Sequence, residues 1–230
     1  MTQLSVLFED NHIIAINKRC GDIIQGDKTG DRTLGDEVKV YLKEQYNKPG
    51  NVYLGVTHRL DRPTSGAVLF ARTSKALTRL NELFKEERSI HKTYWAVVDR
   101  KPDPLTATLD HWMVRDTKQN KSFAYLNERK DSKLASLTYR YLGSSDKFHL
   151  IEIELHTGRH HQIRAQLAAI GLHIKGDLKY GSPRSNSDGG IHLHARKIEF
   201  THPVTGDLIT IVAPTPNDPV WNYFVIDINK

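Results

Sequence analysis

Cysteine is all but absent: Cys20 is the single one in 230 residues. No intrachain disulfide can form, and a zinc site built on cysteine pairs is excluded. Also missing is any apolar run long enough to cross a bilayer as a helix, which takes about 20 residues. The first residues lack the basic-then-apolar pattern of a secretory signal peptide, so a cytoplasmic protein with no membrane role is the expectation. There is no internal repeat, no low-complexity segment and no glycine-rich phosphate loop. Hydrophobic residues make up only 38% of the chain, which leaves a large charged and polar surface over the core.

Positive charge is in surplus. Lys and Arg total 33 against 27 Asp and Glu, a formal net charge of +6. A surplus of this size is compatible with a polyanionic partner such as RNA. The length fits one domain or two intimately packed halves, with enough chain to bury a substantial core.

Taken in order, Leu4–Phe8 and Ile13–Ile16 read as two strands joined by a Glu9-Asp10-Asn11 turn. Asp22 to Asp31 is polar and glycine-rich, a loop. Thr33 is a candidate N-cap with Asp36 at the capping-box position, and Leu34, Val38, Tyr41 and Leu42 form the apolar face of the helix that follows. Asn47-Lys48-Pro49-Gly50 stops it. Ala67–Ala71 reads as a buried strand. Thr73 and Ser74 can cap a second helix with a Leu77, Leu80, Phe84 stripe inside. Its Lys75, Arg79, Lys85 and Arg88 are read as a solvated face.

Lys92–Val98 is a strand with Tyr94 and Ala96 on one face, Trp95 and Val97 on the other. From Asp110 to Lys133 cations alternate with aromatics, among them Trp112, Phe123 and Tyr125. That pattern suits either a mobile hairpin gripping RNA or a surface hairpin anchored by its aromatics. Leu150–Leu155 alternates as a half-buried strand. A helix after Thr157-Gly158-Arg159 puts Ile163, Leu167 and Ile170 inside and ends at Gly171. Lys175 to Asn186 is a loop, Ile191–Phe200 and Leu208–Val212 are strands, and prolines punctuate the tail. Strands and helices do not alternate as regular βαβ units, so the fold class is α+β with a largely antiparallel sheet.

One stretch carries chemistry: His58-Arg59-Leu60-Asp61-Arg62-Pro63-Thr64-Ser65-Gly66. A single acid lies between two arginines in a tight loop before a buried strand. Neighbouring positive charge favours the carboxylate, which can then act as nucleophile or base. A loop aspartate in a surface ion pair fits the same residues.

This nonapeptide resembles the H-R-L-D-x-x-T-S-G motif of the RluA family of pseudouridine synthases. Lys92-Thr93-Tyr94-Trp95-Ala96 resembles that family's K-x-Y-x-A motif, and Thr157 to Arg164 its T-G-R-x-H-Q-I-R motif. Gly176-Asp177 with Tyr180-Gly181 is similar to its G-D-x-x-Y-G motif. Leu193-His194-Ala195, Phe200 and His202-Pro203 are similar to its C-terminal pattern. The blocks occur in family order over nearly the whole chain. Departures are Arg19, where the family usually has proline in Asn-Lys-Pro-x-Gly, and Gln166 and His173, where relatives commonly have His and Pro.

The resemblance implies a single catalytic domain over residues 1–230, in the short form without an S4 domain. It implies a mixed, largely antiparallel sheet of two pseudo-symmetric halves with a central catalytic cleft. It implies an isomerase that converts uridine to pseudouridine in ribosomal or transfer RNA, with no cofactor, no metal and no protein partner; nothing demands an oligomer. Asp61 matches the catalytic aspartate, whether it attacks C1′, attacks the ring or abstracts a ribose proton. Arg164 matches the arginine that pairs with it, and Tyr94 the tyrosine that stacks on the target base. Ile163 matches an apolar wall of the base pocket, and Arg59 a residue that fills the space of the flipped base. Arg62, Arg159, His161, Lys175 and Lys179 are expected phosphate contacts. Two rivals stand beside this reading. A metal-dependent nuclease would use His160, His161, His192, His194, Asp177 and His202, which lack an organised ligand spacing. A passive RNA-binding module would have no use for an aspartate among cations.

Overall fold

A computed structural model describes residues 4–26, 30–85 and 89–228, with side chains up to Val225. Arg88 and the middle of the expected loop between Asp22 and Asp31 lie outside the described residues. The chain runs β1 (Val6–Glu9), β2 (Ile13–Lys18), α1 (Leu34–Gln45), β3 (Gly55–Val56), β4 (Ser65–Ala71), α2 (Ser74–Lys85) and β5 (Ile90–Val98). It continues through β6 (Thr106–Asp116), β7 (Lys121–Tyr125), β8 (Lys133–Ser144), β9 (His149–Leu155) and α3 (Gln162–Ala169). After a short turn of 3-10 helix, Leu178–Tyr180, come β10 (Leu193–Thr201), β11 (Leu208–Val212) and α4 (Pro219–Ile228). The fold is α+β and its sheet is mostly antiparallel, as expected.

Two compact units divide the chain. The first holds residues up to Ile90 together with Ala195–Pro214. Its centre is β4, buried at all seven positions because a strand covered on both faces needs an unbroken apolar run. β2 pairs with it from Ile13↔Ala71 to Lys18↔Gly66. β1 extends β2, and β11 pairs with β10. Ile13, Ala15, Leu69, Ala76, Leu80 and Phe200 form the core, with Leu77 and Phe84 of α2 packed against it. α1 starts on the expected capping box: Thr33 Oγ1 accepts the Asp36 N–H at 3.1 Å and Asp36 Oδ2 accepts the Thr33 N–H at 3.2 Å. α2 is capped by Thr73, whose Oγ1 accepts the Ala76 N–H at 3.1 Å.

The second unit holds His91–His194 and the segment from Thr215 on. β5 pairs with β9, β9 with β8, β8 with β6, and β6 with β7. The expected polar hairpin is therefore β6–β7, two regular strands. One expectation changes here. Ile170 is not a core residue: α3 ends at Ala169, Gly171 takes φ +76°, and the chain turns so that Ile170 is 39% exposed and Leu172 is buried instead. The tail that prolines punctuate also contains a helix, α4. Asp218 Oδ1 accepts the Val220 and Trp221 N–H groups, and Pro219 is its first residue, a position where a missing N–H is harmless. Trp221 and Phe224 then pack on Trp95, Val97 and Leu150.

Gly66 ends the motif loop for a steric reason. Its φ is +117°, and a Cβ there would lie 2.4 Å from the Ala195 carbonyl oxygen and 2.5 Å from the Ala195 nitrogen. Gly66→Ala is expected to lower stability by at least about 2–3 kcal/mol, through backbone strain and collision with β10. Urea denaturation of the variant beside wild type measures it; an unchanged midpoint would show that the strands can part at little cost.

Candidate active site

The motif loop of the first unit is held from several sides. His58 Nε2 accepts the Leu69 N–H at 3.0 Å, and the His58 ring stacks on Phe84 with centroids 4.8 Å apart. Thr57 Oγ1 donates to Leu69 O at 2.6 Å. The Thr64 N–H closes the turn on Asp61 O at 3.0 Å. Asp61 itself is half-buried. The flanking arginines are exposed: Arg59 reaches Gln25 Oε1 at 3.4 Å, and Arg62 lies 3.6 Å from Asp31 Oδ2.

A cation that the sequence reading passed over lies beneath this loop. Lys18 is 1% exposed, and its Nζ donates to Arg19 O at 3.0 Å, Arg62 O at 3.0 Å and Thr64 O at 2.7 Å. Burial lowers its pKa from 10.5 to about 8, while the charges of Asp22, Cys20 and Asp61 act to raise it. Three carbonyls match the three donors of an ammonium. Two of them belong to the residues after Asp61, so the buried charge fixes the turn that carries the acid. The next residue, Arg19, uses the backbone N–H that a proline would lack, donating to Asp22 Oδ2 at 3.1 Å. The Asn-Lys pair before it was the only sequence signal for Lys18.

In the second unit Tyr94 lies on β5 opposite Ile153 of β9 and is buried, 8% exposed. Ile163 and Arg164 lie in the first turn of α3, both buried. The turn before α3 is built by its own motif. Gln162 Oε1 accepts from Thr157 Oγ1 at 2.8 Å and from the Arg159 N–H at 2.9 Å, and Gln162 Nε2 donates to Ser136 O at 3.0 Å. His161 takes φ +52°. Arg164 is paired in a fork with Asp177, Nε to Oδ2 at 2.6 Å and Nη2 to Oδ1 at 2.8 Å, and its guanidinium carbon lies 4.9 Å from the Tyr180 ring centre. Asp177 is 1% exposed. A buried pair with this geometry fixes the plane of the guanidinium.

The expected phosphate contacts divide. Arg159 is exposed, with Nε donating to Leu134 O at 3.0 Å. His161 is buried, with Nδ1 3.0 Å from the Tyr180 hydroxyl and its ring stacked on His160 at 3.8 Å. Lys175 donates to Asn186 Oδ1 at 2.6 Å, and Lys179 to the carbonyls of Gln119 and Asn120. The histidines of the nuclease rival serve elsewhere: His160 bonds Ser122 Oγ, His192 bonds Asn186 and Asp218, and His202 lies 2.9 Å from Asp10. Among the described residues no three His, Cys, Asp or Glu side chains are grouped to hold a metal ion. Gln166 and His173, the other two departures, serve the packed interior and a local ion pair. Gln166 is wholly buried and donates to Leu109 O at 2.9 Å; His173 is bound to both carboxylate oxygens of Asp99, through its N–H and Nδ1, each at 2.9 Å.

Residues 12–169 match the family model described as RNA pseudouridylate synthase. The chain is 34% identical over 232 residues to ribosomal large subunit pseudouridine synthase D of Xanthomonas campestris, covering 94% of this chain and 67% of that protein. It is 32% identical over 236 residues to tRNA pseudouridine synthase C of Salmonella typhimurium, covering 95% and 87%. It spans 66% to 70% of the length of other curated relatives. In fold it is similar to the solved human RNA pseudouridylate synthase domain containing 4, with TM-score 0.78, 23% identity, and 98% and 93% of the two chains covered.

Lys18 gives a pH signature. Folded, it releases its proton near pH 8; unfolded, near 10.5. Between these values the unfolded chain binds the extra proton, so the stability carried by this group rises with pH through that window, by up to about 3 kcal/mol. Lys18→Met should be destabilised outright, because it takes the ammonium from the Arg19, Arg62 and Thr64 carbonyls, the contact with Thr64 being buried. It should also lack the rise, so the gap between wild type and variant widens from pH 8 to 10. Urea denaturation at a series of pH values checks this, and a constant gap would place the Lys18 pKa near that of an exposed lysine.

Proposed function

We infer the working of this chain from one premise: it belongs to the RNA pseudouridylate synthase family, whose model its residues 12–169 match. It is an RNA pseudouridine synthase. The reaction breaks the N1–C1′ bond of a uridine and joins C5 of the same base to C1′. The proton on C5 leaves and N1 gains one, so atoms and electrons balance without a redox partner, phosphate donor or metal. The family match crosses both compact units, which supports treating residues 1–230 as one catalytic domain. Relatives are named for ribosomal and for transfer RNA, and both are proposed as substrate classes here. The surplus of positive charge supports a polyanionic partner. Among the described residues no helix is long and apolar enough to cross a membrane; we place the enzyme in the cytoplasm with its RNA.

The reading assigns the chemistry to Asp61, as nucleophile or base, and rests on the match of its nonapeptide to the family motif. The geometry that supports it is the half-buried carboxylate on a turn pinned by Lys18. Tyr94 is assigned to stacking on the base and to proton transfer, Ile163 to the pocket wall, and Arg164 to orienting the carboxylate. Arg59 is assigned to the space left by the flipped nucleotide, where its exposed planar side chain can stack. Arg62, Arg159 and His161 are assigned to the RNA backbone.

The direct test uses ribosomal and transfer RNA transcripts carrying tritium at uridine C5, from which each isomerisation releases one tritium. Asp61→Asn keeps the side-chain shape and removes the charge, so tritium release should fall to background while RNA binding stays intact. Near-normal release by that variant would sink the assignment.

Arg59→Ala should slow single turnover more on a folded stem than on a short linear RNA with the same uridine. In the stem, flipping has to offset an unstacking cost of roughly a few kcal/mol, which a side chain in the vacated space reduces. Equal losses on both substrates, with unchanged stability, would refute the flipping role.

A further inference from the structure

The second unit contains an aromatic side chain that touches both the cationic hairpin and Arg164. Tyr180 ends the Leu178–Tyr180 turn, is 5% exposed, and packs with Met113, Ala135 and Ala165. Its ring centre lies 4.9 Å from the guanidinium carbon of Arg164. Its hydroxyl accepts the Ser122 N–H at 2.8 Å and donates to Ser122 O at 3.1 Å. Ser122 belongs to β7 and is 2% exposed. A phenol has one hydrogen and two lone pairs, so a hydrogen on His161 Nδ1, 3.0 Å away, occupies the remaining lone pair. The neighbouring Lys179 ties the same turn to the hairpin tip, donating to Gln119 O at 3.4 Å and Asn120 O at 3.1 Å. Lys121 of β7 also lies 5.1 Å from the Tyr180 ring centre.

We propose that Tyr180 is a positioning residue that couples the seating of the β6–β7 hairpin to the orientation of Arg164. The proposal rests on the reading above, in which RNA is the substrate and Arg164 orients the reacting carboxylate. It also takes the hairpin's cations, such as exposed Lys118, as RNA contacts. The Tyr180 hydroxyl satisfies both backbone groups of a buried residue. If β7 moves, the hydroxyl follows or leaves two buried polar groups unpaired, which is strongly unfavourable. The rigid ring moves with its hydroxyl, and the guanidinium rests against that ring. Arg164 is thus held in plane by Asp177 and on its face by Tyr180, and only the second hold reports on the hairpin. RNA gripped by the hairpin then raises the rate as well as the affinity.

The test has an activity arm and a spectroscopic arm. Tyr180→Phe keeps the ring and removes the hydroxyl. On the tritiated transfer and ribosomal transcripts, its single-turnover rate at saturating RNA should fall by roughly ten- to a hundredfold, the usual penalty for a misplaced supporting group. Its affinity for RNA should stay at the wild-type value. Lys118→Ala should lower both affinity and saturating rate in wild type, but only affinity in the Tyr180→Phe background. Wild-type saturating rate in Tyr180→Phe, or the same Lys118→Ala rate loss in both backgrounds, would overturn the proposal; a merely structural Tyr180 predicts the latter. In the second arm, the Arg164 Nε–H resonance should shift when unmodified transfer RNA is added to wild type and stay put in Tyr180→Phe. This arm reads the coupling even if no transcript releases tritium, a result that would count against the synthase reading alone. An equal shift in both proteins, or none in wild type, refutes the coupling. Should Tyr180→Phe fail to fold, Lys179→Ala cuts the tie to the hairpin tip, and the spectroscopic arm decides: at RNA concentrations that saturate the variant the Arg164 Nε–H shift should shrink, and a full wild-type shift refutes the coupling.

Discussion

A buried ammonium governs the first unit. Lys18 has almost no contact with water, and its ammonium donates to three main-chain carbonyls. Charge is expensive to bury, so the carbonyls have to stay where they are, and two of them belong to the turn that follows Asp61. The same turn is fixed at its start by His58 on the Leu69 N–H and at its end by Gly66 against Ala195. An aspartate on an ordinary surface loop would move with the loop. Here the backbone beneath it is held by a charge that cannot afford to lose its partners.

The second unit solves a similar problem differently. Arg164 is a charged side chain inside a packed region, and a carboxylate that is itself buried supplies the counter-charge. The fork geometry leaves little rotational freedom, and the Tyr180 ring limits what remains. Both units therefore hold a buried cation by groups of the surrounding fold, ammonium by carbonyls and guanidinium by carboxylate. Each choice fits the donor geometry of the cation concerned.

Much of the fold could be read from local pattern. The Thr33–Asp36 capping box, the unbroken apolar run of β4 and the alternation in β9 are signals carried within a few residues. Ile170 falls on the correct helical face, but the helix stops one residue before it because Gly171 takes the left-handed conformation. Pro219 is one of the prolines that punctuate the tail, and a proline at the first helical position is a start signal once Asp218 is seen to cap it. In both, the outcome turns on a backbone conformation or a cap that residue type alone does not reveal.

The sequence by itself determined the fold class, most of the elements and the family, because periodicity and motifs are properties of neighbouring residues. It also singled out Asp61, Tyr94 and Arg164 as residue types in a recurring order. It did not determine what holds them. Lys18 is 44 residues from Arg62 and 46 from Thr64, Arg164 is 13 from Asp177, and Tyr180 is 58 from Ser122. The side chains of the arginines beside Asp61 reach Gln25 and Asp31, and the buried ammonium under the loop comes from a strand more than 40 residues earlier. Partners of a buried charge are chosen by which backbone and side-chain groups the packed chain brings within hydrogen-bonding distance, and only the tertiary structure decides that.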